Sequence, residues 1–114
     1  MSITSNIDAK EHIAIGLALQ SLRQEDVMVV ASGSSFHNFG YIGAKGEKKE
    51  QGVEHSRIWN EWLGESLSST DLEDRKLRLQ TWEQSSSSAL ECHPTGKQEH
   101  LIPLHVVLGA SGCS

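Results

Sequence analysis

Five consecutive residues, Val27-Met28-Val29-Val30-Ala31, carry no polar side chain. A short apolar run rich in β-branched residues is the pattern of a strand covered on both faces, as in a mostly parallel sheet. The constraint is severe, because every buried N–H and C=O needs a partner. A strand finds those partners in neighbouring strands, and no second run of this kind stands near it in the sequence. A helical pattern precedes it. Ser5 and Asp8 are cap candidates, and Ala9, Ile13, Leu17 and Leu22, with Ile15, Ala18 and Leu19 beside them, give a broad apolar face at helical spacing. Helix, short turn and buried strand in that order make half of a βαβ unit, so the expected fold class is α/β.

After the expected strand comes Ser32-Gly33-Ser34-Ser35-Phe36-His37-Asn38-Phe39-Gly40. Ligands of open α/β sheets bind outside the carboxyl ends of strands, where His37 would stand. Residues 43–52, GAKGEKKEQG, read as a flexible surface loop. Val53 to Leu67 is expected as a second helix, with Trp59, Trp62, Leu63 and Leu67 on one face. Asp71 to Gln84 is expected as a third, after the cap candidates Ser69 and Thr70. Ser85 to Ser88 reads as a linker. In the last segment Thr95 and Gln98 have capping-box spacing, so either a helix begins there and kinks at Pro103, or it begins at Ile102 or Pro103. Both readings put His100 at irregular backbone.

The 114 residues are enough for one modest core. Fifteen acidic against ten basic residues give a net charge of −5, which argues against a phosphate-driven nucleic-acid binder. No apolar run approaches the ~18 to 20 residues of a membrane span. Two cysteines, Cys92 and Cys113, make no disulfide framework, and no secretory signal is visible, so the expected compartment is the cytoplasm.

Chemistry centres on the six histidines. His37 suits proton transfer or metal ligation, or is a polar loop residue. His93 and His100 flank a proline-containing turn beside Glu99, at a spacing that is no recognised metal signature. His105 reads as a satisfied core or interface residue, and His12 and His55 as members of solvated faces. The adjacent Cys92 and His93 suggest a thiolate–imidazole pair only weakly, since sequence neighbours rarely point at one another. Neither a phosphate-binding glycine motif nor a serine-hydrolase elbow is present.

Residues 26–38, DVMVVASGSSFHN, resemble the strand-plus-histidine segment of class III extradiol ring-cleavage dioxygenases. Residues 92–110, CHPTGKQEHLIPLHVVLGA, resemble the C-terminal signature of the DOPA-dioxygenase-like branch of that family. IWNEWL and RKLRLQTWEQ match loosely in between, so the resemblance covers nearly the whole chain. It implies a metal-dependent enzyme, with Fe(II) or Zn(II), that opens a catechol-type aromatic ring with O2. His37 matches the acid–base histidine, also described as a metal contact, and His100 matches a metal-binding histidine. Some relatives use a carboxylate as third ligand, which makes Glu99 an alternative. His93 and Asn38 are substrate-pocket candidates.

The resemblance further implies that residues 1–114 are the C-terminal half of a mixed or parallel-sheet α/β dioxygenase domain, mostly helical with one clear buried strand. Two further histidine ligands belong to the family's N-terminal half. The expected function is an extradiol dioxygenase chain that is truncated and weakly active or inactive. The alternative is a non-catalytic remnant that binds metal weakly, forms a homo-oligomer or pairs with a full-length homologue.

Overall fold

The computed structural model describes residues 1–112; Cys113, counted above, lies outside the described residues. Among the described residues five α-helices carry the fold: α1 Ala9–Leu19, α2 Gly46–Ser68, α3 Leu72–Gln80, α4 Ser87–Cys92 and α5 Ile102–Ser111. Short 3₁₀ helices extend α1 (Gln20–Glu25) and follow α3 (Trp82–Gln84). Asp8 caps α1 by accepting the Glu11 N–H, and Asp71 caps α3 by accepting the Glu73 N–H. The acidic first turns of both helices suit the positive end of the helix dipole.

The expected buried strand is overturned. Among the described residues there is no strand and no sheet. Val27 to Ala31 runs as an irregular segment over the surface, with Met28 83% and Val30 78% exposed. Within the described chain no neighbouring strand exists for it to join, so the apolar pattern is present and the ladder is not. Accordingly, no backbone–backbone hydrogen bond among the described residues involves Met28 to Gly33. The α/β, mixed-sheet expectation therefore fails for this chain, which is helical.

Other local expectations shift as well. The polar stretch 43–52 is not all loop, because α2 begins at Gly46 and takes in its second half. The serine linker is partly helix, since Ser87 and Ser88 open α4. The third helix ends at Gln80, and Trp82–Gln84 is a separate 3₁₀ turn. Of the two readings of the last segment, the structure takes the second. The final helix starts at Ile102 with Pro103 in its first turn, where the missing N–H costs no helical hydrogen bond.

The core is built around Trp59 and Trp82, both essentially inaccessible, with Ile13, Leu63, Leu79, Ala89, Leu101 and Leu108. Helices α1 and α5 form the most extensive helix pair. Their backbones touch at two glycines: a Cβ on Gly16 would collide with the Val106 carbonyl, and one on Gly109 with the Ile13 carbonyl. His12 and His105 are both fully buried. The solvated reading of His12 is thus corrected. Its Nδ1 faces the Asp8 carbonyl at 2.6 Å, and its Nε2 accepts the Thr4 N–H at 3.1 Å. A histidine with both nitrogens paired to backbone needs no water. His105 lies in the core as expected, donating from Nε2 to the Leu79 carbonyl at 2.9 Å, but it is only half satisfied, because its Nδ1 is buried without a partner. His55 is half-buried rather than solvated, with Nδ1 2.9 Å from the Ser88 hydroxyl.

Candidate functional site

His37 and His100 lie 63 positions apart in the chain and meet with ring centroids 3.9 Å apart. Neither belongs to a helix. His37 ends an irregular strip, and His100 stands in the turn before α5. The backbone pins the two together. The Ser34 N–H donates to the His100 carbonyl at 2.9 Å, and the His37 N–H donates to the Cys92 carbonyl at 2.9 Å. Gly33 makes the first contact feasible, since a Cβ there would run into the His100 carbonyl oxygen. Between these two bonds the Ser35 carbonyl accepts two donors. One is the Trp59 indole N–H at 2.7 Å and the other is His93 Nε2 at 2.8 Å.

His93 is completely buried, and its ring packs edge-on against Trp59 and Trp82 with centroids 5.7 and 5.9 Å away. Burial pushes its imidazole below the usual histidine range, opposed by the Ser35 carbonyl, which favours the charged form. Asn38 donates from Nδ2 to the Glu91 carbonyl at 2.7 Å and accepts the Gly40 N–H at 2.8 Å, which ties down the chain beyond His37. Cys92 does not face His93; its thiol donates to the His55 carbonyl at 3.4 Å. Burial pushes that thiol up to about 12, which removes the thiolate character a nucleophile would need.

Glu99 completes a cluster. One nitrogen from each of His37 and His100 and one carboxylate oxygen of Glu99 lie within 4.8 Å of one another. Ligands held at about 2.1 Å from a first-row metal stand up to about 4.2 Å apart. His100 Nε2 and Glu99 Oε1, at 3.9 Å, already satisfy that span. Both side chains are more than two-fifths exposed, so small rotations close the remaining gap. Two imidazoles and a carboxylate are also the donor set that suits non-haem iron or zinc. The residues present therefore fit such an ion.

Two cavities flank His100. One of about 250 Å³ is bounded by Ala31, Gly33, Leu63, Leu67, Pro103 and Leu104. The other, of about 490 Å³, reaches Glu99, Val30, Ala31, Pro103 and Val106. Both walls are mostly apolar, the character of small-molecule pockets in general. His93 and Asn38 border neither of these two cavities. The sequence pattern does not single out Gly33, Ser35 and Trp59 as site residues. Its one signal is a glycine just after an apolar run, which marks a close backbone approach.

Three relatives among known proteins are informative. The chain is 31% identical over 118 residues to the dioxygenase tasH of Hapsidospora irregularis, covering 97% of this chain and 35% of that protein. It is 33% identical over 116 residues to the 4,5-DOPA dioxygenase extradiol of Mirabilis jalapa, covering 98% and 39%. It is 29% identical over 112 residues to the 4,5-DOPA dioxygenase extradiol of Beta vulgaris, covering 98% and 38%. The chain thus spans well under half the length of the curated relatives it matches. No solved structure matches it. A family model, the catalytic LigB subunit of aromatic ring-opening dioxygenase, matches residues 1–114, and with both histidine segments inside that match the chain belongs to this family.

Proposed function

We propose that this chain supplies the C-terminal part of an extradiol ring-cleaving site, with His37 and His100 as its working side chains and a catechol-type ring plus O2 as its substrates. The observation that carries the reading is the apposition of these two imidazoles with Glu99 beside apolar cavities. His100 holds the metal, with Glu99 as an additional oxygen donor and His37 close enough to contact it. Bound there, Fe(II) would supply the redox capacity that activates oxygen; Zn(II) would bind the same donors but lacks that capacity. His37 takes the proton of a diol hydroxyl as the substrate binds and returns one as the ring opens, a role suited to an imidazole near neutral pH. Its ring meets Phe39 edge-on at 4.8 Å and is half-buried, which limits the orientations from which it transfers that proton. The mostly apolar cavity walls orient the aromatic ring and exclude water from it.

Full turnover, in this reading, needs ligands from the rest of the family domain, so the 114-residue chain by itself binds metal weakly and turns over slowly or not at all. Anaerobic titration with Co(II), followed by its visible spectrum, tests the metal part. Weak binding that disappears in His100→Ala is expected, whereas binding that His100→Ala leaves untouched would sink it. Addition of Fe(II), a catechol and air, with the yellow ring-opened product as readout, tests the second part; robust turnover would overturn it.

The exposed Val27 to Ala31 segment favours a second reading, a non-catalytic chain that pairs with another copy or with a longer homologue. The unpaired backbone groups of Met28 to Ala31, with the β-branched side chains of the segment, form a template for strand addition. Light scattering after gel filtration decides this. A mass above one chain that falls in Met28→Lys supports pairing, and a concentration-independent monomer that binds no longer homologue rules it out. Among the described residues no helix is long and apolar enough to cross a membrane, and the reading places the chain in the cytoplasm, away from nucleic acid.

A further inference from the structure

Beside the candidate site, and among the described residues, the Ser35 carbonyl is the peptide oxygen that accepts two side-chain donors from opposite parts of the fold. Trp59 reaches it from the middle of α2, and His93 from the end of α4. A carbonyl only accepts, so the His93 proton sits on Nε2. Nδ1 is then a bare lone pair, and it is buried without a partner. Placing the proton on Nδ1 instead would bury an unmatched N–H and leave the Ser35 contact as two facing lone pairs. The surroundings therefore select one tautomer and one ring orientation. Ser35 stands two residues before His37 and one after Ser34, whose N–H holds the His100 carbonyl. Fixing Ser35 fixes both contacts that set the two site histidines side by side.

We propose that His93 is a positioning residue: through its Nε2–H bond to the Ser35 carbonyl it latches the 33–37 strip onto the helical core and so holds His37 against His100. This inference rests on the reading of His37 and His100 as the working pair, but the latch itself requires no metal. It also separates His93 from the substrate pocket, because the side chain acts on the backbone from behind the strip. Two independent features support it. The ring is boxed by Trp59 and Trp82, which removes its freedom to point elsewhere. The strip is otherwise short of internal structure, held within itself chiefly by the Ser34 hydroxyl donating to the Phe36 carbonyl at 2.8 Å. A strip of that kind takes its shape from what grips it.

The test compares His93→Leu, which keeps the bulk and loses the donor, with His93→Gln, whose amide N–H can reach the same carbonyl. Nuclear Overhauser contacts between the His37 and His100 rings are read in the metal-free chain. The Co(II) affinity is read separately. In His93→Leu the ring contacts should vanish and the affinity should fall about tenfold, the usual scale for losing a group that orients a ligand. His93→Gln should restore both. A folded His93→Leu that keeps its ring contacts overturns the proposal. If that variant fails to fold, the wild-type protein still decides, because a ¹⁵N spectrum must show the Nε2–H tautomer with slow proton exchange. The other tautomer, or rapid exchange, overturns it. Absence of Co(II) binding with intact ring contacts defeats the metal reading and leaves the latch standing.

Discussion

Gly33→Ala adds a single methyl group at the point where the 33–37 strip meets the turn of His100. The new Cβ would lie well inside contact distance of the His100 carbonyl oxygen, where real Cβ atoms essentially never come under 3.0 Å. The obstacle is backbone, so no side-chain rotation relieves it, and strip and turn must separate by about 1 Å to regain normal contact. The Ser34 N–H to His100 carbonyl bond is 2.9 Å long. Stretching it by that amount takes it beyond hydrogen-bonding range. The lost bond and the displaced packing together cost about 2 kcal/mol. For a chain of this size that corresponds to a fall in Tm of roughly 8 °C. The ring contact between His37 and His100 should be lost at the same time, and Co(II) affinity should drop about tenfold. Thermal unfolding by circular dichroism, ring–ring Overhauser contacts and Co(II) titration measure the three effects. Gly64→Ala is the control: it sits inside α2 with open space around its added Cβ. A Gly33→Ala protein with wild-type Tm and intact ring contacts would refute the claim that this close approach assembles the site.

Gly64→Ala should itself raise stability, by about 0.5 to 1 kcal/mol, because it removes helix-interior glycine entropy and meets nothing; an unchanged or lower Tm counts against that. Gly109→Ala should destabilise by about 1 to 3 kcal/mol, since its Cβ meets the Ile13 carbonyl and forces α1 from α5; urea unfolding measures it, and a neutral result would mean that the two helices cross less tightly than this. His93 and His105 both have folded-state values below the ordinary histidine 6.5, chiefly through burial. Below that pH the unfolded chain takes up protons that the folded chain refuses. Stability should thus be full above about pH 6.5 and fall as the pH drops toward the lowered folded values. Urea unfolding at about pH 7.5, 6.5 and 5.5 should show the fall setting in below the ordinary histidine value, and a flat profile contradicts it. Cys92, with its thiol pushed up to about 12 and its side chain buried, should resist iodoacetamide until the chain is unfolded. Peptide mapping by mass spectrometry reads this, and rapid labelling of native Cys92 would show that the α4 end opens.

The sequence by itself determined the cores of α1, α2 and α3, the tryptophan core and the two segments that carry the site histidines, while α4 fell in a stretch that reads as a linker. Helices are legible because their apolar spacing and caps are local: Asp8 and Asp71 lie beside the helices they start, and Pro103 marks the first turn of α5. The resemblance also rests on local strings of residues, so it survives in a chain much shorter than its relatives. The tertiary structure alone decided the fate of Val27 to Ala31. An apolar β-branched run states a preference for a sheet, but a strand is a property of at least two chain segments, and no partner segment is present among the described residues. The same holds for the site. Which histidines meet depends on carbonyl groups, at His100, Cys92 and Ser35, that every residue possesses and no side-chain pattern reveals. In the sequence His12 reads as part of a solvated face and His93 as a substrate-pocket candidate, and neither position foretells burial in the core. Only long-range packing buried both, pairing His12 with backbone near its own helix and turning His93 toward the strip that carries His37.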